Sequence, residues 1–294
     1  MPTEFHRAGL LYRRSEPKWW RPLLEFVLLA VLVVAFTLAV TIPVGLAAGY
    51  FGLDIFDENA TDPLVSLLQV LFIAVLLPTP FIAARVLGRK AGALHSIEGR
   101  FRWGVAGRAF AIAFAAYGGL VAFEAVAFGL DGVSVGRREA LLLAAFVVLV
   151  PLQAAAEEYV FRASLPQILG QWNAPAWLCY GLPAIGFVAS HVYNWIGLVD
   201  IAIFALCAAL LTWRTGGVEA AIMLHAVSNT VVFGYGAVGA SNPGETEIAL
   251  SDMAVSSLIT LGATVLLLWA LKDAGENSRR KIVVPAPGNL YSDR

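Results

Sequence analysis

The sequence predicts an all-α, polytopic membrane protein of about eight transmembrane helices. Three observations predict it. Of 294 residues, 59% are hydrophobic and only 14% are charged, whereas a soluble domain carries about 25% charged residues. The apolar residues gather into eight runs near the length that crosses a bilayer as a helix. Lys and Arg then collect in every second connection, as they do when alternate loops face the cytoplasm.

The first run, about 23–48, follows a basic segment of Arg7, Arg13, Arg14, Lys18 and Arg21. A secretory signal begins the same way, but its apolar stretch is about 7–15 residues. Leu23 to Ala48 is far longer, so it reads as an uncleaved first span behind an N-terminal cytoplasmic tail, 1–22. The remaining runs are about 64–87, 106–129, 139–168, 175–193, 197–213, 217–238 and 253–271. They complete a helical domain over 23–272, and their short loops leave no room for a separate soluble domain. We find no internal repeat. Residues 273–294 are polar and read as a flexible cytoplasmic tail.

The charges orient the spans. The N-terminal tail, the 85–108 loop, Arg214 and the C-terminal tail hold seventeen Lys and Arg. The alternate loops 49–63, 130–138, 194–196 and 239–252 hold only Arg137 and Arg138. Two of them are acidic (Asp54, Asp57, Glu58; Glu245, Glu247, Asp252). We therefore expect a multi-pass protein of a bacterial cytoplasmic membrane with both termini in the cytoplasm. Trp19, Trp20, Trp103, Trp172, Trp195, Trp213 and Trp269 fall at or near the expected ends, as an aromatic belt would. The net charge of −1 argues against nucleic acid as a partner. Cys179 and Cys207, both in apolar runs, suit neither a disulfide framework nor a zinc site of paired cysteines.

The polar residues inside the spans carry the functional signal. Between Leu141 and Gly244 only Glu157, Glu158, Arg162, Asp200, Arg214 and Glu219 are charged. A charge near a bilayer centre costs a few kcal/mol, about 2.5–3.5 on the lenient insertion scale. Glu158 and Arg162 are four residues apart, share a face and can pair. Glu157 is rotated by about 100° and is free to face elsewhere. His191 ends the fifth run, His225 lies within the seventh, and Asn229 is one turn after His225 on the same face. A hairpin turning near Trp172–Asn173 brings Glu157 and His191 to similar depths. A buried Glu, two His and an Asn have the composition of a water-activating site. The carboxylate can take a proton from water, a histidine can share that task, and His and Asn can donate to an oxyanion.

Taken singly, each residue has a packing role open to it: an ion pair pinning two turns, or an interhelical hydrogen bond. Glu25, Asp200 and Glu219 lie near helix starts, where they can reach the interface. Glu124 sits deeper, with only a packing partner to suggest. Pro151 and Pro183 precede the two site segments and can open their backbone.

Three segments change the weighting. Glu157-Glu158-x-x-x-Arg162 reads EExxxR, Phe187-x-x-x-His191 reads FxxxH, and His225-x-x-x-Asn229 reads HxxxN. In that order, on successive apolar spans, they resemble the CPBP family of intramembrane proteases (CAAX protease and bacteriocin-processing, also called Abi). The resemblance covers roughly 140–240. It implies an eight-helix, CAAX prenyl protease-like peptidase acting on a membrane-associated protein or peptide. It also implies that Glu157 and His191 activate water, that His225 and Asn229 stabilise the oxyanion, that Glu158 and Arg162 support the site, and that Phe187 packs near His191. The family is called metalloproteases, and a metal-free glutamate mechanism has also been argued. No HExxH is present, but Glu157, His191 and His225 are a conceivable zinc set, so no cofactor is required with certainty. The competing readings are a non-catalytic membrane scaffold or regulator and a proton-coupled transporter.

Overall fold

The structure, a computed structural model, describes residues 4–12, 18–52, 61–130, 132–242 and 244–281. Arg13, Arg14, Asp54, Asp57, Glu58 and the tail beyond 281 lie outside the described residues. The chain is all-α, with seven helices long and apolar enough to cross a membrane among the described residues.

Helix α1 (Arg21–Tyr50) starts with Pro22 at its second position, where the missing N–H has no intrahelical partner anyway. Val27, Val31, Val34, Leu38, Ile42 and Leu46 are exposed on it at three- and four-residue spacing. Such an apolar stripe suits lipid, not water. The run expected at 64–87 is broken into α2 (Pro63–Ala74) and α3 (Thr79–Val86). Pro78 and Pro80 account for the break, since neither can donate to the turn before it. Helix α4 (Trp103–Phe128) follows. Helix α5 (Arg137–Glu158) is capped by the Glu139 carboxylate, which accepts from Gly136 N at 2.9 Å. It passes through a π turn, Tyr159–Ser164, into α6 (Leu165–Gly170).

The expected hairpin turn is present, with Asn173 in the left-handed region at φ 57°. Helix α7 (Ala176–Ala189) has only 14 residues, or about 21 Å of rise against a hydrocarbon core of about 30 Å. The expected span 175–193 is thus a shorter helix followed by irregular chain. That chain is tied down where Asn194 N donates to Thr246 O at 3.0 Å and its side-chain amide donates to Ile248 O at 3.0 Å. Helix α8 (Trp195–Thr215) ends at Gly216, whose φ of 71° favours glycine. Helices α9 (Glu219–Ala237) and α10 (Leu250–Ala270) complete the bundle.

Residues 273–281, expected to begin a flexible tail, lie in α11 (Lys272–Lys281). Ser278 explains the difference: it is buried, donates to Glu98 at 2.7 Å and accepts from Arg102 at 3.1 Å.

The apolar core forms around α9, which packs against α4, α5 and α8. Leu211, Leu224 and Leu267 are fully buried there. Two carboxylates expected at the interface are instead buried with arginines from the 85–108 loop. Glu25, 1% exposed, is held by Arg89 and receives Gln171 Nε2 at 3.3 Å, while Arg89 also donates to Gln167 at 2.5 Å. Glu219 accepts from Arg102 Nε at 2.9 Å and Nη2 at 2.6 Å. Each carboxylate is neutralised by a bidentate partner, so burial does not leave it uncompensated. Glu124 accepts from the Tyr235 hydroxyl, and Asp200 from Ser257 at 2.6 Å.

Candidate active site

The site begins with the last turn of α5. Gln153 and Glu157 are four residues apart and share a face, and Gln153 Nε2 donates to Glu157 Oε2 at 2.8 Å. Glu158 points to the neighbouring face and into the protein. The backbone there widens into the π turn, a form that recurs at functional sites. Within that turn Arg162 places Nη1 3.2 Å from Glu158 Oε1, the expected pair. Its guanidinium also lies 4.1 Å from the centre of the Phe187 ring, a cation–π contact. Tyr159, which opens the turn, reaches the basic-end loop with its hydroxyl 2.6 Å from His95 Nδ1. Burial lowers the His95 pKa below the ordinary imidazole value, so the ring is neutral near pH 7.

Helix α9 supplies the opposite wall. Because it is the innermost helix, His225 and Asn229 meet protein, not lipid. His225 Nδ1 lies 2.8 Å from Glu158 Oε1, and its Nε2 lies 3.4 Å from Glu157 Oε2. Asn229 Nδ2 lies 3.0 Å from His225 Nε2 and donates to Gln153 Oε1 at 3.2 Å. Glu157, Glu158, His225 and Asn229 therefore form one connected polar cluster, closed by Gln153. The His225 ring is fixed edge-on by Phe204 at 4.8 Å and Phe187 at 6.1 Å between ring centres.

His191 stands beside this cluster. It lies just past α7, donates from Nδ1 to Phe187 O at 2.7 Å, and packs its ring 4.7 Å from that of Phe187. Phe187 thus packs near His191, as expected, and also meets Arg162. Among the described residues no hydrogen bond joins His191 to Glu157, His225 or Asn229.

Burial divides the cluster in two. Gln153, Glu158, Arg162 and His225 are buried. Glu157, Asn229 and His191 are partly exposed, Glu157 at 13% of its side chain. The conceivable zinc set does not assemble: no group of three His, Cys, Asp or Glu among the described residues is placed to hold a metal ion.

Two site residues were missed in the sequence. Gln153 is the only amide in the apolar segment leading to Glu157, one turn before it, and that placement was the available signal. Phe204 gives none, being one apolar residue in an apolar helix.

Residues 139–231 match the family model of the Rce1-like proteins, described as type II CAAX prenyl endopeptidase Rce1-like. The matched segment runs from the first turn of α5 into α9 and contains Glu157, Glu158, Arg162, Phe187, His191, His225 and Asn229. It bears out the resemblance read from the three motifs. No curated protein and no solved structure matches this chain.

Proposed function

We propose that this protein is an intramembrane endopeptidase that hydrolyses a peptide bond of a membrane-associated protein or peptide. The similarity of residues 139–231 to CAAX prenyl endopeptidases makes prenylated peptides the first substrates to test. The observation that carries the reading is the connected Glu157–Gln153–Asn229–His225–Glu158 cluster inside helices of membrane-crossing length. Polar groups at that depth are costly and mark functional paths.

In this reading Glu157, assisted by His191, takes a proton from a water molecule. The water oxygen adds to the scissile carbonyl carbon. The oxyanion formed receives hydrogen bonds from the Asn229 amide and the His225 ring. The proton then passes to the amine nitrogen as the C–N bond breaks. Glu158 and Arg162 hold His225 in place from behind.

The test is reconstitution in liposomes with a panel of membrane-associated peptides, prenylated CAAX peptides among them. Wild type should cleave, and Glu157→Gln should lose at least the factor of about 10²–10⁴ that general-base catalysis supplies. Equal cleavage by both would overturn the reading.

A further inference from the structure

The two carboxylates of the cluster sit at opposite ends of a hydrogen-bonded chain, and an ionised carboxylate can only accept. That fixes the direction of every bond between them. At one end Glu158, beside Arg162, faces His225 Nδ1 at 2.8 Å, so Nδ1 must carry the proton. In a neutral ring Nε2 is then a lone pair, and the group 3.0 Å from it on Asn229 must be the amide NH2. At the other end Glu157 faces Gln153 at 2.8 Å, so Gln153 must present its NH2 there. Its carbonyl oxygen is then turned to Asn229 and accepts from the same NH2 at 3.2 Å. Both ends give the same orientation of Asn229, and the direct approach of Glu157 Oε2 to Nε2, at 3.4 Å, is longer than an ordinary hydrogen bond, so it does not require a proton on Nε2.

We propose that Gln153 is a positioning residue that sets the hydrogen-bond polarity of this cluster, holding His225 as the neutral Nδ1–H tautomer with the Nε2 lone pair accepting from the Asn229 amide. The proposal rests on the function proposed above and sharpens it. With Nε2 unprotonated, His225 cannot donate to an oxyanion at the outset. It must first receive at Nε2 the proton that Glu157 has taken from water, across the 3.4 Å between them. That frees the Asn229 N–H from Nε2, and His225 and Asn229 then both donate to the oxyanion, the proton passing on to the amine as the C–N bond breaks. Gln153 touches no reacting atom in this scheme. It acts by fixing which face of the Asn229 amide His225 meets. Without Gln153, Asn229 can rotate and offer its carbonyl oxygen to Nε2; because Glu158 keeps the proton on Nδ1, the ring is then drawn to the form protonated on both nitrogens.

The experiment is nitrogen NMR of the full-length protein labelled with ¹⁵N-histidine in detergent micelles, with His225 assigned from the signals lost in His225→Gln. Wild type should show the Nδ1–H pattern at neutral pH. Gln153→Leu, similar in size but without donor or acceptor, should convert part or all of His225 to the form protonated on both nitrogens. It should also lower kcat by about tenfold or more with KM unchanged. Asn229→Asp should abolish the Nδ1–H pattern, because a carboxylate cannot donate to Nε2. An Nε2–H signal in wild type overturns the proposal even if Gln153→Leu fails to fold. An unchanged tautomer in Gln153→Leu overturns it as well. The wild-type NMR readout needs no substrate, so the Nδ1–H pattern without any peptide cleavage supports the relay and overturns only the proposed function.

Discussion

Arg162 occupies a position where a guanidinium would ordinarily be unwelcome: 1% exposed, over the rings of Phe187 and Phe204 and beside a carboxylate buried completely. Removing one member of a buried ion pair strands the other, at about 3–5 kcal/mol. Arg162→Ala should therefore lower folded yield and thermal stability, not activity alone, which a melting curve in detergent would show. Asn229 is partly exposed and donates to two neighbours that have other partners, so Asn229→Ala should fold. If it serves the oxyanion, cleavage should fall by about 10²–10³, the usual loss for one such donor. Because Glu157, His191 and His225 do not converge as a ligand trio, exhaustive chelation should leave peptide cleavage intact. Loss on chelation with recovery on stoichiometric zinc would contradict that. At this scale the sequence was informative wherever a residue's chemistry clashed with its surroundings. Glu157, Glu158, Arg162, His225 and Asn229 stand out from apolar runs, and spacing alone put Glu158 beside Arg162. Gln153 was harder to find because an amide in such a run is less anomalous than a charge. Its role depends on which helix lies opposite, and spacing along one helix does not contain that information.

Helices were legible by length and apolar content, but their interruptions were not. The π turn after Glu158 leaves no compositional mark: YVFRAS reads as an ordinary turn of helix. Helix α7 is short because its chain leaves the helix at Ser190 and is captured by the 246–248 segment. That is a tertiary contact which an apolar run through Val192 does not announce. The break between α2 and α3 was readable in principle, since Pro78 and Pro80 sit within the run. Close approaches between elements depend on absent side chains. A Cβ at Gly170 would lie 1.9 Å from the His6 carbonyl oxygen. Gly170→Ala should therefore push the short helical segment at Phe5–Leu11 off α6. Overpacking of this kind costs about 1–3 kcal/mol. Thermal melts and limited proteolysis near the N-terminus would report it, and an unchanged melt would contradict it.

Seen whole, the molecule has a basic end locked by buried Arg–Glu pairs and an acidic end closed by the meeting of Asn194 with residues 246–248. The distribution of Lys and Arg, seventeen against two, predicts that the basic end faces the cytoplasm. Reporter fusions at position 95 should therefore score as cytoplasmic and those at position 134 as external; the reverse pattern would invert the bundle. The all-α membrane class was visible in composition alone. The arginines of the 85–108 loop were visible as topology signals, but Arg89 and Arg102 turn out to neutralise acids far along the chain, which a charge tally cannot separate from a solvated face. The Glu25–Arg89 pair has a consequence for synthesis. Its two members are 64 residues apart, and a ribosome working at about 5–20 residues per second needs about 3–13 seconds to cover that distance. During that interval the first span emerges with an acid whose counter-ion does not yet exist, and Gln171 arrives later still. The nascent chain must keep Glu25 at the aqueous boundary or within the insertion machinery until the second half of the lock is made, so the first helix cannot take its final depth when it first enters the bilayer.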